Sequence, residues 1–177
     1  MSDHAHRLHR RSIRLQAWDY AEIGAYFVTL NAHRRAHLFG KVARGRVVLS
    51  VYGAVARDEW LRTARLRPEI ELDAFVVMPD HMHGIIRITT RRTSRCPRAG
   101  NLHREPETLG SILAGYKAAC TSRINVLRGT PGGVVWQRNY YEHIIRTSGA
   151  LARIRRYIET NPARWPAWGA RSAPPPA

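Results

Sequence analysis

The order of hydrophobic and polar residues along the chain predicts strands and helices in alternation. Runs rich in β-branched and aromatic residues indicate strands at residues 25–31, 70–78 and 83–89. Residues 38–40 and 47–49 flank a polar Arg-Gly-Arg turn and favour a short hairpin. Since only Pro79-Asp80 breaks the run between 70–78 and the strand after it, we expect those two strands to pair in antiparallel fashion.

Two long segments have the apolar spacing of amphipathic helices. Residues 51–66 show this spacing and precede Pro68, which should end the helix. Residues 108–127 show it most clearly. Their apolar positions are Leu109, Ile112, Leu113, Tyr116, Cys120 and Ile124.

A third helix is predicted near the C-terminus, with Ser148 as its N-cap and its end at about Glu159, closed by Asn161-Pro162. Residues 134–146 before it indicate a strand that passes into a loop. The resulting order is strand–hairpin–helix–strand–strand–helix–strand–helix. It predicts an α+β domain with one mainly antiparallel sheet and helices packed on it.

Length and composition indicate one globular domain, since the chain has 177 residues of which 44% are hydrophobic. We assign this domain to residues 17–165, a basic arm to 1–16 and a Pro/Ala-rich tail to 166–177. No apolar run approaches the roughly 20 residues of a membrane-spanning helix, and no hydrophobic stretch follows the N-terminal charges. The two cysteines lie in dissimilar contexts. We therefore expect a cytoplasmic, nucleoid-associated protein without a membrane partner or a disulfide framework.

Charge points to a nucleic-acid partner. Lys and Arg total 29 against 13 acidic residues, a net charge of +16, and all but Lys41 and Lys117 are arginine. Arginine suits bidentate contacts to phosphate and stacking on bases. A GC-rich genome would explain arginine over lysine but not the scarcity of acids. Within the arm, Arg11 and Arg14 are candidates for contact with a phosphate backbone, and the alternative is a solvated tail.

The candidate chemistry centres on His81-Met82-His83, which lies within residues 74–88, a run typical of β-strand. Side chains alternate between the faces of a strand, so His81 and His83 share a face and can bind one divalent ion. We expect Met82 and Ile85 to be buried together in the core, with the two histidines on the other face of the strand. The alternative is a pair of surface histidines on an edge strand.

The last helix offers a possible nucleophile. Tyr157 and Asn161 lie one turn apart on the face that also carries Ile154. A cation bound by two imidazoles and an amide oxygen keeps positions open for a phosphodiester, which the tyrosine hydroxyl can attack to form a covalent phosphotyrosine. The alternative is that Tyr157 is a core aromatic and Asn161 only ends the helix.

Six segments together resemble a known family. They are Arg11-Ser-Ile-Arg-Leu15, Gly24-Ala-Tyr-Phe-Val-Thr29, Val77-Met-Pro-Asp-His-Met-His-Gly84, Leu109-Gly-Ser-Ile112 with Lys117, Trp136-Gln-Arg-Asn-Tyr-Tyr-Glu-His-Ile-Ile-Arg146 and Tyr157-Ile-Glu-Thr-Asn-Pro162. The chain is similar over residues 11–165 to the REP-associated tyrosine transposases, members of the HUH single-strand DNA endonuclease superfamily. The combination of the His-x-His and Tyr-x-x-x-Asn-Pro motifs is specific, whereas His-x-His alone is not.

The resemblance implies a ferredoxin-like fold and a nickase dependent on Mg²⁺ or Mn²⁺ that forms a 5′-phosphotyrosine and releases a 3′-hydroxyl. By motif, His81 and His83 match the metal ligands and Tyr157 the nucleophile. Asn161 falls where relatives place a third ligand, often glutamine. His143 is a rival ligand. The rival nucleophiles, better suited to positioning and stacking, are Tyr140 and Tyr141.

The remaining candidate DNA contacts are cationic: Lys117 on the long apolar helix, and Arg138 and Arg146 in the segment after it. For Lys117 the alternative is a surface lysine that lies along the helix. We hypothesise an enzyme that nicks and joins hairpin-forming, palindromic single-stranded DNA. The alternatives are a domesticated relative that binds hairpin DNA without cutting it, and a non-catalytic metal protein. The target sequence, the physiological metal and the oligomeric state stay open at this point.

Overall fold

A computed structural model describes residues 22–90 and 108–165. The predicted arm at 1–16 with Arg11 and Arg14, residues 91–107 and the tail at 166–177 lie outside the described residues. No helix in the described ranges is long and apolar enough to span a membrane.

The described residues form six strands and three α-helices. The strands are β1 Gly24–Asn31, β2 Gly40–Ala43, β3 Arg46–Leu49, β4 Ile70–Val77, β5 His81–Ile88 and β6 Tyr141–Ile145. The helices are α1 Val51–Leu66, α2 Leu109–Arg128 and α3 Ser148–Arg164. A 3₁₀ turn, His33–Arg35, follows β1.

Four strands form the main sheet in the order β4-β5-β1-β6, and every neighbouring pair is antiparallel. The β2-β3 hairpin forms a separate small sheet. α1 lies in the connection from β1 to β4, and α2 in the connection from β5 to β6. Both helices pack on the same face of the sheet. This is the ferredoxin-like arrangement, so the predicted α+β fold with an antiparallel sheet is confirmed.

Strand alternation divides the hydrophobic residues into two layers. One face of β1 and β5 packs against α1 and α2 through Tyr26, Val28, Leu30, Met82 and Ile86. The other face packs against α3, through Phe27 and Ile85 on the sheet and Ile154, Tyr157 and Ile158 on the helix. Met82 and Ile85 are both buried as predicted, but in different layers, and Ile85 lies on the face of the two histidines.

Hydroxyl caps begin all three helices. The side-chain oxygens of Ser50, Thr108 and Thr147 accept hydrogen bonds from the third residue of their helices at 3.1–3.2 Å. α1 ends at Leu66, before Pro68 as predicted. α2 ends at Arg128 and is capped by Gly129, whose φ of 63° is the left-handed conformation that favours glycine.

The structure corrects two predictions about the C-terminal third. Residues 134–140 are not a strand but an irregular segment with one bridge, Trp136 to Ala32, and the strand starts only at Tyr141. The cap of α3 is Thr147, not Ser148, and the helix continues through Asn161-Pro162 to Arg164. A proline costs a backbone hydrogen bond inside a helix. Here the packing of the Tyr157, Ile158 and Asn161 face against the sheet offsets that cost.

Gly84 in β5 is expected to tolerate no side chain. A Cβ atom there would lie 2.4 Å from Cζ2 of Trp60, which is fully buried. Gly84→Ala should therefore lower the free energy of unfolding by about 1–3 kcal/mol, measured by urea denaturation. The matched control is Gly115→Ala on α2, where a Cβ meets only Arg67 at 3.8 Å and helix propensity favours alanine. Equal shifts in both variants would contradict this packing.

Candidate functional site

His81 and His83 lie together under α3 at one end of β5. In the sheet register His81 is opposite Asn31 and His83 is opposite Thr29. Both histidines are 3% exposed. Their Nε2 atoms are 3.1 Å apart, so the two rings point at one common place. The two histidines share one face of β5 as predicted, and this face is covered by α3 instead of being open to solvent.

The other nitrogen of each ring is bound within the sheet and its adjoining turns. His81 Nδ1 lies 2.5 Å from Oδ1 of Asp80, and Oδ2 of Asp80 lies 3.0 Å from Nε of Arg35. His83 Nδ1 lies 2.8 Å from the hydroxyl oxygen of Thr29. Partners of this kind orient metal-binding imidazoles and keep Nε2 available as the donor atom.

α3 places three polar or aromatic side chains over the histidines. Tyr157, Asn161 and Trp165 follow one another at four-residue intervals and so lie along one face of the helix. The Tyr157 hydroxyl is 3.3 Å from Nε2 of His83, and the Asn161 side chain is hydrogen-bonded to Tyr157. The Trp165 ring lies against His81 with 5.8 Å between ring centroids.

Burial sets the protonation states in this site. It holds the pKa of His83 well below the usual 6.5, with smaller contributions from His81 and the Arg35 charge, so His83 is neutral at pH 7. It also raises the pKa of Tyr157 above 10, against the opposing effects of the Asn161 hydrogen bond and the Arg164 charge. The tyrosine therefore keeps its proton at neutral pH and needs activation before it can act as a nucleophile.

The donor set fits a divalent cation. Two imidazole Nε2 atoms converge at 3.1 Å, their Nδ1 atoms are engaged elsewhere, and His83 is neutral, which is the form that binds metals. Within residues 22–90 and 108–165, no three His, Cys, Asp or Glu side chains are grouped to hold a metal ion. Among the described residues, the Asn161 amide and the Tyr157 hydroxyl on α3 are oxygen groups that could complete the set.

The rival residues lie further along the sheet. His143 is opposite Phe27 on β1, two residues along that strand from Thr29, which pairs with both His83 and Tyr141. Tyr141 is separated from His83 by Thr29 and contacts Phe27 edge to face. Tyr140 packs against the opposite core. Of the three candidate tyrosines, Tyr157 is the one whose hydroxyl contacts the histidine pair.

The predicted cationic DNA contacts occupy two separate places. Lys117 Nζ donates to the backbone carbonyls of Gln137 and Arg138 at 2.5 and 3.1 Å, which ties α2 to the segment before β6. Lys117 and the exposed Arg138 line a cavity of about 580 Å³ between α2 and that segment. Arg146 is exposed at the end of β6 and lines another cavity of about 370 Å³ near Ile88, at the end of β5 away from the histidines. Their role at DNA stays a prediction.

Sequence reasoning missed four residues of this site: Thr29, Arg35, Asp80 and Trp165. Asp80 directly precedes His81 in the chain, and a carboxylate next to a candidate ligand was a usable signal. Trp165 lies eight residues after Tyr157 and so on the same helical face. Because the last helix was predicted to end at about Glu159, this spacing was not recognised. Thr29 is brought to the site by the pairing of β1 with β5, and Arg35 by the 3₁₀ turn, so neither is marked by its neighbours in the sequence.

Comparisons with known proteins show a relative and a similar fold. No protein-family model matches the chain. An uncharacterized protein of Haemophilus influenzae is 37% identical over 164 residues, which cover 89% of this chain and 90% of that protein. Among solved structures, the fold is similar to that of a REP-associated tyrosine transposase bound to a REP hairpin, with a TM-score of 0.57 and 24% identity over 86% of this chain and 74% of that one.

Proposed function

Because this chain belongs to the same family as the Haemophilus influenzae protein and has the fold of the REP-associated tyrosine transposase, we propose that it is a single-strand DNA transposase or nickase that uses Tyr157 as its nucleophile. One observation carries the proposal. The Tyr157 hydroxyl lies 3.3 Å from Nε2 of His83, which lies 3.1 Å from Nε2 of His81.

The two histidines would hold a divalent cation, Mg²⁺ or Mn²⁺, through their Nε2 atoms, with the Asn161 amide oxygen as a third ligand. When bound, the cation supplies a Lewis acid for the scissile phosphate and favours ionisation of a neighbouring hydroxyl. Asn161 is suited to orient the Tyr157 hydroxyl, because the two side chains are already hydrogen-bonded one turn apart.

The reaction forms one bond and breaks one. Tyr157 Oη gives up its proton and attacks the phosphorus in line, so that the Oη–P bond forms, the bond from phosphorus to the 3′ oxygen breaks, and the 3′ oxygen takes up a proton. The products are a 5′-phosphotyrosine and a free 3′-hydroxyl. A 3′-hydroxyl can attack the same phosphorus later and return the tyrosine, which joins strands without an external energy source.

Burial constrains the access of DNA and water to the site. His81, His83, Tyr157 and Asn161 are each at most 5% exposed, so water has little access to the site. A DNA strand can then reach Tyr157 only if α3 shifts away from the sheet. Arg155 on the exposed side of α3 binds Asp73 of β4 through two hydrogen bonds, and this ion pair would have to yield or pivot.

The polarity of the covalent link gives the direct test. A hairpin oligonucleotide with a single-stranded flank is incubated with the protein and Mn²⁺, then separated under denaturing conditions. With a 5′-phosphotyrosine, a label at the 3′ end of the oligonucleotide should migrate with the protein, and a label at the 5′ end should be released as a shorter strand. Strand cleavage without a protein-linked label would contradict the proposal.

The second candidate function is a hairpin DNA-binding protein that does not cut. The observation that favours it is the burial of Tyr157 between α3 and the sheet, a conformation in which the nucleophile cannot meet DNA. Such a protein would bind the same hairpin but give no adduct with either label in any divalent metal.

Binding is expected to be mainly electrostatic and to favour hairpin or single-stranded DNA over plain duplex, since the chain carries a net charge of +16. The logarithm of the affinity should fall linearly with the logarithm of the salt concentration, with a slope of about −0.7 to −0.9 per phosphate contacted. Deleting residues 1–16 should weaken binding and flatten the slope. Fluorescence anisotropy at several salt concentrations checks this. Equal affinity for duplex and hairpin with little salt dependence would contradict it.

A further inference from the structure

The two histidines of the pair have unequal partners on Nδ1. Asp80 faces His81 with a carboxylate oxygen, and its second oxygen is paired with Arg35. A carboxylate only accepts hydrogen bonds, so His81 must carry its proton on Nδ1. Thr29 faces His83 with a hydroxyl, which can donate or accept and therefore permits either tautomer.

The Asp80 carboxylate is held in place from several sides. Its side chain is 7% exposed, and Arg35 approaches it from the 3₁₀ turn with a backbone φ of 57°, a left-handed conformation that arginine rarely adopts. Side-chain contacts to Asp80 and Asn31 accompany this conformation. The backbone carbonyl of Asp80 accepts a hydrogen bond from the amide of Ala32 at 2.8 Å. This bond holds the turn between β4 and β5 against the end of β1.

We propose that Asp80, clamped by Arg35, is a positioning residue that locks His81 in the Nδ1–H tautomer and so keeps its Nε2 lone pair directed at the place shared with His83. The proposal rests on the proposed function for its purpose, a divalent-cation site. Its physical claim, the tautomer of His81, can be measured in the metal-free protein.

Replacement by asparagine should reverse the tautomer. Arg35 Nε is a donor, so the amide of Asp80→Asn should turn its oxygen to Arg35 and its NH₂ group to His81 Nδ1. His81 would then carry its proton on Nε2 and lose the lone pair that binds a cation. Asp80→Ala removes the lock without imposing the wrong tautomer. If Asp80 had only a structural role, Asp80→Ala would lower the affinity for the cation more than Asp80→Asn, since asparagine has the shape of aspartate.

The test combines two measurements. Long-range ¹H–¹⁵N NMR of the metal-free wild-type protein, with His81 assigned through His81→Ala, should show the Nδ1–H tautomer. Mn²⁺ affinity, measured by electron paramagnetic resonance of free Mn²⁺, should fall about 10–100-fold in Asp80→Asn and less in Asp80→Ala. In Asp80→Asn with Arg35→Met the amide is free to turn, and affinity should recover toward that of Asp80→Ala. Asp58→Asn, which removes an exposed ion pair with Arg57 on α1, should match wild type.

An Nε2–H tautomer for His81 in the wild-type protein would overturn the proposal even if every Asp80 variant failed to fold. A smaller loss of Mn²⁺ affinity in Asp80→Asn than in Asp80→Ala would also overturn it. Both outcomes are independent of DNA cleavage. A wild-type protein with the expected tautomer and the expected order of affinities that never nicks DNA would count against the proposed function alone.

Discussion

Tyr157→Phe is expected to abolish the covalent protein–DNA adduct and to lower nicking by at least about 10³-fold, because it removes the attacking oxygen. The ring itself should stay in place, since its edge-to-face contact with Phe27 does not involve the hydroxyl. Hairpin binding should therefore be retained within about twofold, because exposed positive charge supplies most of the affinity. Adduct yield on a denaturing gel and anisotropy on the same DNA measure the two properties separately.

The matched controls are the rival tyrosines. Tyr141→Phe and Tyr140→Phe should both form the adduct, since neither ring lies beside the histidine pair: Tyr141 is a strand away and Tyr140 packs in the opposite core. Both variants keep the aromatic ring, so stacking on unpaired bases should be retained as well. An adduct that persists in Tyr157→Phe and disappears in either control would show that Tyr157 is not the nucleophile.

His81→Ala and His83→Ala should each remove metal-dependent nicking. Loss of a residue that only orients a ligand already costs 10–100-fold in metal affinity, so loss of a ligand should cost more than about 100-fold. Mn²⁺ affinity and nicking rate should fall together, while circular dichroism and hairpin affinity stay close to wild type. Wild-type protein treated with a chelator should behave like these variants.

Two histidine controls separate a ligand from a nearby imidazole. His33→Ala changes an exposed residue of the 3₁₀ turn, and His143→Ala changes the rival ligand on β6. Both should keep Mn²⁺ affinity within about threefold of wild type. Loss of a residue that only orients a ligand would lower the affinity by about 10–100-fold. Undiminished cutting by the His81 and His83 variants in the presence of a chelator would contradict a metal mechanism. Loss of Mn²⁺ affinity in His143→Ala would make that residue a ligand.

The elements that the sequence predicted best are those whose signals are local. The period of apolar residues defines α1 and α2, and the β-branched runs define β1, β4 and β5. Alternation along β5 was sufficient to place His81 and His83 on one face. The same alternation places Ile85 on the face of the two histidines, so the prediction that Ile85 is buried with Met82 on the other face was wrong.

The errors arise where tertiary packing overrides a local signal. Pro162 normally ends a helix, yet the last turn of α3 persists because its buried face packs on the sheet and Trp165 lies against His81 and His37. Val134 to Tyr140 has strand-like composition but meets the sheet only through the bridge at Trp136. The Arg35–Asp80–His81 contacts join separate turns at one end of the sheet, so no periodicity in the sequence could have predicted them.

Mapping the covalent link by mass spectrometry tests the central claim most directly. Trypsin cuts after arginine, so Tyr157 is released in the peptide 157–164, which contains one tyrosine, while Tyr140 and Tyr141 are released together in 139–146. After reaction with Mn²⁺ and a hairpin substrate, nuclease digestion leaves a short nucleotide on the linked peptide. The account predicts a 5′-phosphonucleotide on Tyr157 in the peptide 157–164. A nucleotide on the peptide 139–146, or DNA nicked with both peptides unmodified throughout the reaction, would contradict it.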